Sequence, residues 1–277
     1  MSLHASRNHA RLYGLGAALV AAIWLPIVND AGAQRNIVGD RAAEGLPQES
    51  ANRPPPAREI APIDMTGYWV AVVTEDWRFR MVVPPHGDYD SVPLNAEGRR
   101  VADTWDPERD AATGDRCRWY GAASIMSVPT RLRILWEDDD TLRVDTDAGQ
   151  QSRAFRFAAE PPAGLERSLQ GFSRGEWRIR TGGMEPGSLP GGSLEVRTSH
   201  MRGGYLRRNG VPYSENAQLT EWYYVLEDGP TTWLIVITEV VDPTYLAGPF
   251  VTSRQFRREA DDSGWNAEPC SAGTGRV

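Results

Sequence analysis

From Asp64 onward, hydrophobic and polar residues alternate with a period of two. YWVAVVT (68–74), WRFRMVV (77–83), RLRILWE (131–137), TLRVDTD (141–147), SRAFRFA (152–158), EWRIR (176–180), SLEVRTSHMR (193–202), AQLTEWYYVL (217–226), TWLIVITEVV (232–241) and FVTSRQFRR (250–258) all carry it. The pattern predicts about ten strands at hairpin spacing. Short links between consecutive strands favour an antiparallel meander, closed as a barrel or stacked as a sandwich. One segment departs from the period: NAEGRRVADTWD (95–106) places Val101 and Trp105 on one side of a helix, weakened by Gly98. TGGMEPGSLPGGS (181–193) is the longest internal loop, either a plain solvated connection or a mobile lid.

The ends are different in character. Arg7 and Arg11 precede a mostly apolar run, Leu12 to Val28, and Ala31-Gly32-Ala33 presents small side chains. Residues 1–33 therefore read as a Sec-type signal peptide, the alternative being an uncleaved anchor. Residues 34–61 are polar and proline-rich, a flexible leader, and 271–277 form a flexible tail. That leaves 62–270 as a single β-barrel domain, periplasmic or secreted, with no membrane span in the mature form.

Composition narrows the chemistry. The formal charge of −7 argues against a nucleic-acid partner. All 30 basic residues are arginine, so Schiff-base chemistry, a phosphate-loop lysine and a Ser-Lys dyad are excluded. Cys117 and Cys270 in an exported chain invite a disulfide, two free thiols being the alternative. Beyond residue 33 only His86 and His200 remain, too few for a usual zinc site. EDDDT (137–141) suggests either a calcium site or a tight solvated turn, and the turn explains it better. No metal and no cofactor is expected. His86 falls in the loop PPHGDYDSVP and reads as solvated.

Alternation also selects the candidate site. Leu194, Val196, Thr198, His200 and Arg202 share one strand face, and Leu219, Glu221, Tyr223 and Val225 share another. Asn209-Gly210 and Pro212 supply turn chemistry between them. His200 and Glu221 are thus expected to point inward on neighbouring strands. A carboxylate beside an imidazole could move a proton, with Tyr205 or Tyr213 as donor. Equally, Glu221 could bond an arginine or tyrosine and lock the hairpin. Glu239 shares a face with Trp233, Ile235 and Ile237 and is a third candidate. Trp69, Trp77, Arg202, Trp222, Tyr223 and Trp233 are expected to line a ligand site, since the chain is rich in tryptophan.

DMTGYWVAV resembles the opening of lipocalin-like barrels, with Gly67 and Trp69 in the positions of their Gly-x-Trp. DPTY (242–245) and Arg254 or Arg257 follow in comparable order, the arginine being the one that covers the tryptophan in that family. The wider pattern, from GYWVAVVTEDWRFRMVVPPHGDY through GYLRRNGVPYSENA to WNAEPC, resembles an uncharacterised family of exported bacterial proteins. The resemblance implies export and a calycin-like barrel. With it, the expected function is binding of a small apolar or aromatic molecule inside the barrel. The alternatives are a cofactor-free isomerase, cyclase or lyase using His200 and Glu221, and a structural or partner-binding envelope protein.

Overall fold

The computed structural model describes residues 54–180 and 191–270. The signal peptide, most of the leader, residues 181–190 of the Gly/Pro-rich loop and the tail 271–277 lie outside them.

Nine strands close into a barrel among the described residues. They are β1 (Gly67–Val72), β2 (Arg131–Trp136), β3 (Thr141–Thr146), β4 (Ser152–Phe157), β5 (Phe172–Arg180), β6 (Gly191–Ser199), β9 (Gln218–Asp228), β10 (Thr231–Val241) and β11 (Phe250–Glu259). The order round the barrel is β1-β11-β10-β9-β6-β5-β4-β3-β2, and β1 closes it by pairing with β2. Two short strands, β7 (Gly204–Tyr205) and β8 (Pro212–Tyr213), form a hairpin of their own between β6 and β9. Inward positions alternate along the walls: Leu132 and Ile134, Leu142 and Val144, Leu194 and Val196, Leu234 and Val236 are all buried.

Every pairing between strands but one is antiparallel among the described residues. β4 and β5 run parallel, with Phe155 opposite Ser173 and Phe157 opposite Gly175. The connection 158–171 therefore carries the chain back along the barrel before β5 begins, as a parallel pair requires. A pure meander is corrected at this seam.

The segment 77–83 is not a strand. Trp77–Arg80 forms a short helix, α1, entered through Asp76 in the left-handed region (φ 52°). The physical reason is closure: β2 and β11 already hold both edges of β1, so no edge is left for a hairpin partner. The expected helix at 95–106 appears as α2 (Ala96–Ala102), followed by α3 (Pro107–Ala112). Asn95 caps α2 by accepting from Gly98 N, and Asp106 caps α3.

Strand direction sorts the connections between the two ends. The long insertion 73–130, the β7–β8 hairpin and the 242–249 loop all leave the end where β1 finishes. They build a cap with its own apolar cluster, including Tyr89, Val92, Ala122, Leu206, Val211, Tyr213 and Leu246. At the other end, Trp136, Phe157 and Trp177 pack together, and Trp177 Nε1 donates to Ala57 O at 2.8 Å. Ala57 N in turn donates to Asp140 Oδ1. Residues 57–60 thus belong to the barrel, although the sequence reads them as leader. The same contact engages the 137–141 turn, where Asp138 Oδ1 also accepts from Asp140 N.

Cys117 and Cys270 are bonded, with their Cα atoms 5.1 Å apart. The bridge pins the chain after β11 to the cap, and a parallel bridge, Ala148 to Glu268, fixes it beside the loop after β3. Among the described residues no helix is long and apolar enough to cross a membrane.

Candidate functional site

Glu221 lies inside the barrel, fully buried, as alternation on β9 predicts. Its partner is Arg153 of β4. Arg153 Nη1 donates to Oε1 at 3.0 Å and Nη2 to Oε2 at 2.6 Å. Tyr223 OH donates to Oε1 at 3.1 Å. Arg153 Nη2 also reaches the hydroxyls of Thr198 and Ser173, which bond each other at 2.8 Å. Since β5 and β6 lie between β4 and β9, the pair reaches across two strands of the wall. Phe155 and Tyr223 rings pack 5.4 Å apart beside it. Burial opposes the Arg153 charge, but Glu221 and its hydrogen bonds outweigh that and hold the guanidinium above its ordinary range. Burial pushes the Tyr223 phenol well above its own. The carboxylate is bidentate to a permanent cation, an arrangement that fixes structure.

His200 is not part of this group. β6 ends at Ser199, and His200 has φ 56°, which turns its side chain out of the strand alternation. Its Nδ1 bonds Ser199 Oγ at 2.9 Å in an exposed position. Val196, not His200, stands opposite Glu221. Four residues of strand separate the two positions, roughly 13 Å. The expected acid/base pair is therefore corrected to a buried Arg153–Glu221 ion pair.

The other predicted residues scatter. Tyr205 and Tyr213 belong to the β7–β8 hairpin in the cap. Tyr205 OH donates to Asp110 Oδ2 at 2.7 Å and lies under the Arg118 guanidinium. Burial, then the Asp110 bond, raises its pKa. Tyr213 is buried, and burial likewise raises its pKa. Among the described residues its hydroxyl has no partner, and it sits where a Cβ on Gly121 or Gly204 would collide with it. Arg202 forms an exposed ion pair with Asp115 at 2.6 Å. Trp77 is 62% exposed on α1. Trp222, Trp233 and Glu239 alternate with the buried positions of β9 and β10, so they lie on the outer face. Of the expected lining, only Trp69 and Tyr223 face inward, both fully buried.

Trp69 keeps the expected cover, but a different arginine supplies it. Trp69 stands opposite Arg258, whose guanidinium lies 4.3 Å from the indole ring and donates to Thr66 O and Asp64 O. Arg257 alternates outward and is exposed. Arg254 points inward four residues nearer the cap.

There Arg254 joins a second cluster that sequence reasoning missed. Arg80, Arg207 and Arg254 are 2%, 5% and 3% exposed and line one narrow cavity with Asp76, Phe79, Trp119, Ser127, Leu206 and Phe250. The cavity has room for about one water-sized group. Arg80 Nη1 bonds Glu75 Oε1 at 2.6 Å and its Nε donates to Ser127 O at 3.0 Å. Arg254 Nη2 bonds Asp76 Oδ2 at 3.0 Å, its Nε donates to Ser127 Oγ at 3.1 Å, and its Nη1 lies 3.6 Å from Glu75 Oε1. Arg207 lies 3.7 Å from the Phe79 ring centre and donates to Asp90 O.

The β7–β8 turn sets Arg207 in place. Gly210 N donates to Arg207 O, and Asn209 Nδ2 donates to the carbonyls of Pro85 and Asp88. Gly210 has φ 80° and its Cα faces Trp105 so closely that a Cβ would fall 2.1 Å from the ring. Only glycine fits there.

Two of the lining residues carry donors that are buried without a partner among the described residues, Arg80 Nη2 and Trp119 Nε1. Each such group costs about 1–3 kcal/mol if nothing accepts from it. Burial, with Arg254 beside it, draws the Arg80 guanidinium down to about 10, and burial draws Arg207 to about 10 as well. Desolvation also lowers Arg254. The site is short of negative charge and of acceptors. Compared with known proteins, the chain matches no protein-family model, no curated protein and no solved structure.

Proposed function

We propose that this protein is an exported, lipocalin-like binding barrel whose ligand enters at the capped mouth rather than the lumen. One observation carries the reading: at the mouth, three nearly buried arginines and Trp119 line one cavity, and two of their donors are unsatisfied among the described residues. Binding sites place a few convergent polar groups against an apolar lining, and Phe79, Trp119, Leu206 and Phe250 supply that lining. The lumen lacks this character at the level of Glu221, where Arg153, Phe155 and Tyr223 occupy the space. The Trp69–Arg258 stack supports the lipocalin-like reading, and residues 1–33 support export. Catalysis by His200 and Glu221 has lost its geometric basis.

The packed lumen also favours a second reading, a structural or partner-binding envelope protein. One experiment separates the two. The indole N–H signals of Trp119 at the mouth and Trp69 in the barrel can be followed by NMR while a panel of small charged and neutral molecules is added. Saturable shifts at Trp119 with Trp69 unmoved are expected. Shifts at Trp69 alone would return the site to the lumen, and none at either would favour the structural reading.

A further inference from the structure

We propose that the mouth pocket takes an anionic group, a carboxylate, phosphate or sulfate, inserted among Arg80, Arg207, Arg254 and the Trp119 indole. The inference rests on the mouth being the binding site and names what it binds. Its first support is the kind of atom left unsatisfied. Guanidinium and indole nitrogens only donate, so Arg80 Nη2 and Trp119 Nε1 both call for an acceptor. An ammonium group, which has no acceptor, cannot answer them.

The second support is the charge count. Glu75 is shared between Arg80 and Arg254, and Asp76 pairs with Arg254. Among the described residues Arg207 has no carboxylate within ion-pair distance. Asp76, Asp88 and Asp90 act on it only through longer-range charge, and Arg254 opposes them. Three cations thus have two carboxylates within ion-pair distance, Asp76 of the cavity lining and Glu75, and an entering anion balances them.

The third support is size. The cavity has room for about one water-sized group, so a single oxygen of an oxyanion fits it and an aromatic ring does not. The remainder of an organic acid would lie outward past half-buried Phe250. Planar guanidinium groups suit carboxylate and phosphate oxygens, which explains why three arginines converge where two would have balanced the two acids.

The test compares acetate, phosphate and sulfate with acetamide, the neutral counterpart of acetate, at fixed pH and ionic strength. The Trp119 indole N–H and the protein's melting temperature are the readouts. Expected are a saturable shift and a raised melting temperature with the anions, and neither with acetamide. In Arg207→Gln, anion affinity should fall at least tenfold while the Trp69 indole signal stays in place, and Arg207→Lys should recover part of it. Equal effects of acetamide and acetate would overturn the anion assignment and leave the mouth as binding site. No shift at Trp119 with any of these probes, while other neutral molecules bind there, would overturn it in the same way. If nothing shifts Trp119, and a crystal grown with sulfate shows only water on Arg80 Nη2, both this inference and the mouth reading fall. Should Arg207→Gln fail to fold, the acetate and acetamide comparison on the unaltered protein still decides.

Discussion

Glu221 and Arg153 bring two full charges into a wall of Leu194, Val196, Phe155 and Tyr223. A buried pair of this kind is worth little against well-packed hydrophobic residues, but removing one partner leaves an uncompensated charge. Glu221→Gln is nearly isosteric and keeps one acceptor for Tyr223, yet it strands the Arg153 guanidinium. The expected loss is about 3 kcal/mol, seen as a lower denaturant midpoint with an unchanged slope. Arg153→Met combined with Glu221→Leu should recover most of it. A double variant as unstable as Glu221→Gln alone would show that the charges contribute more than the packing that replaces them.

Half of this pair was legible in the sequence and half was passed over. Alternation on AQLTEWYYVL placed Glu221 inside, where the structure has it. The same argument applied to SRAFRFA puts Arg153 on the face of Phe155 and Phe157, so the signal for the partner was present. His200 misled because alternation holds only while the strand continues. A left-handed residue after Ser199 breaks it, and nothing in SHMRGG marks that break beyond the glycines that follow.

At the scale of elements, alternation found nine wall strands because each buries one face, and a one-residue slip would expose the whole set. It failed for WRFRMVV, which alternates equally well but meets a β1 whose two edges are taken. The mouth site stayed hidden for the same reason. Its arginines come from a short helix, a hairpin turn and the middle of β11, which only closure of the barrel brings together.

The outer face of the β5–β6 pair offers a pH test at this scale. Glu195 lies between Arg178 and Arg197, with contacts of 2.8 and 2.7 Å. Arg178 chiefly, and Arg197 after it, hold its carboxyl down to about 2. A depressed pKa means the unfolded chain binds the proton more readily than the folded one. The contribution is therefore complete above the unfolded value, near pH 4.5, and is lost as pH falls toward 2. Both arginines are more than a third exposed, so screening keeps the effect on the order of 1 kcal/mol. Glu195→Gln should lower the melting temperature at pH 7, and the difference from the unaltered protein should shrink steadily below pH 4.5. A difference that stays constant down to pH 2 would show that shape at this position, and not charge, carries the effect.

At the scale of the whole molecule, one bond joins what the strand order leaves apart. β11 ends at Glu259 on the end of the barrel opposite the cap, and the chain then runs back to reach Cys117. Along the way Glu268 N donates to Asp147 O, Gly149 N to Glu268 O, and Asn266 N to Asp147 Oδ2. These are few and mostly peripheral bonds, and without a tether the segment would release locally before the barrel unfolds. The disulfide closes a separation of 153 residues, for which chain entropy gives about 5 kcal/mol as an upper figure. Less is expected in practice, because the reduced segment can leave without unfolding the walls. Such a bond persists in an oxidising compartment, in keeping with the export proposed above. Intact mass of protein recovered from the envelope or medium should show both events at once, loss of the first 33 residues and a mass about two units below the dithiol form. Replacing Cys117 and Cys270 with serine should lower the melting temperature and speed hydrogen exchange at Gly149, Asn266 and Glu268, while β9 and β10 amides keep their protection. Exchange that rises equally across β9 and β10 would mean the bridge stabilises the barrel as a unit and does more than hold the segment to the cap.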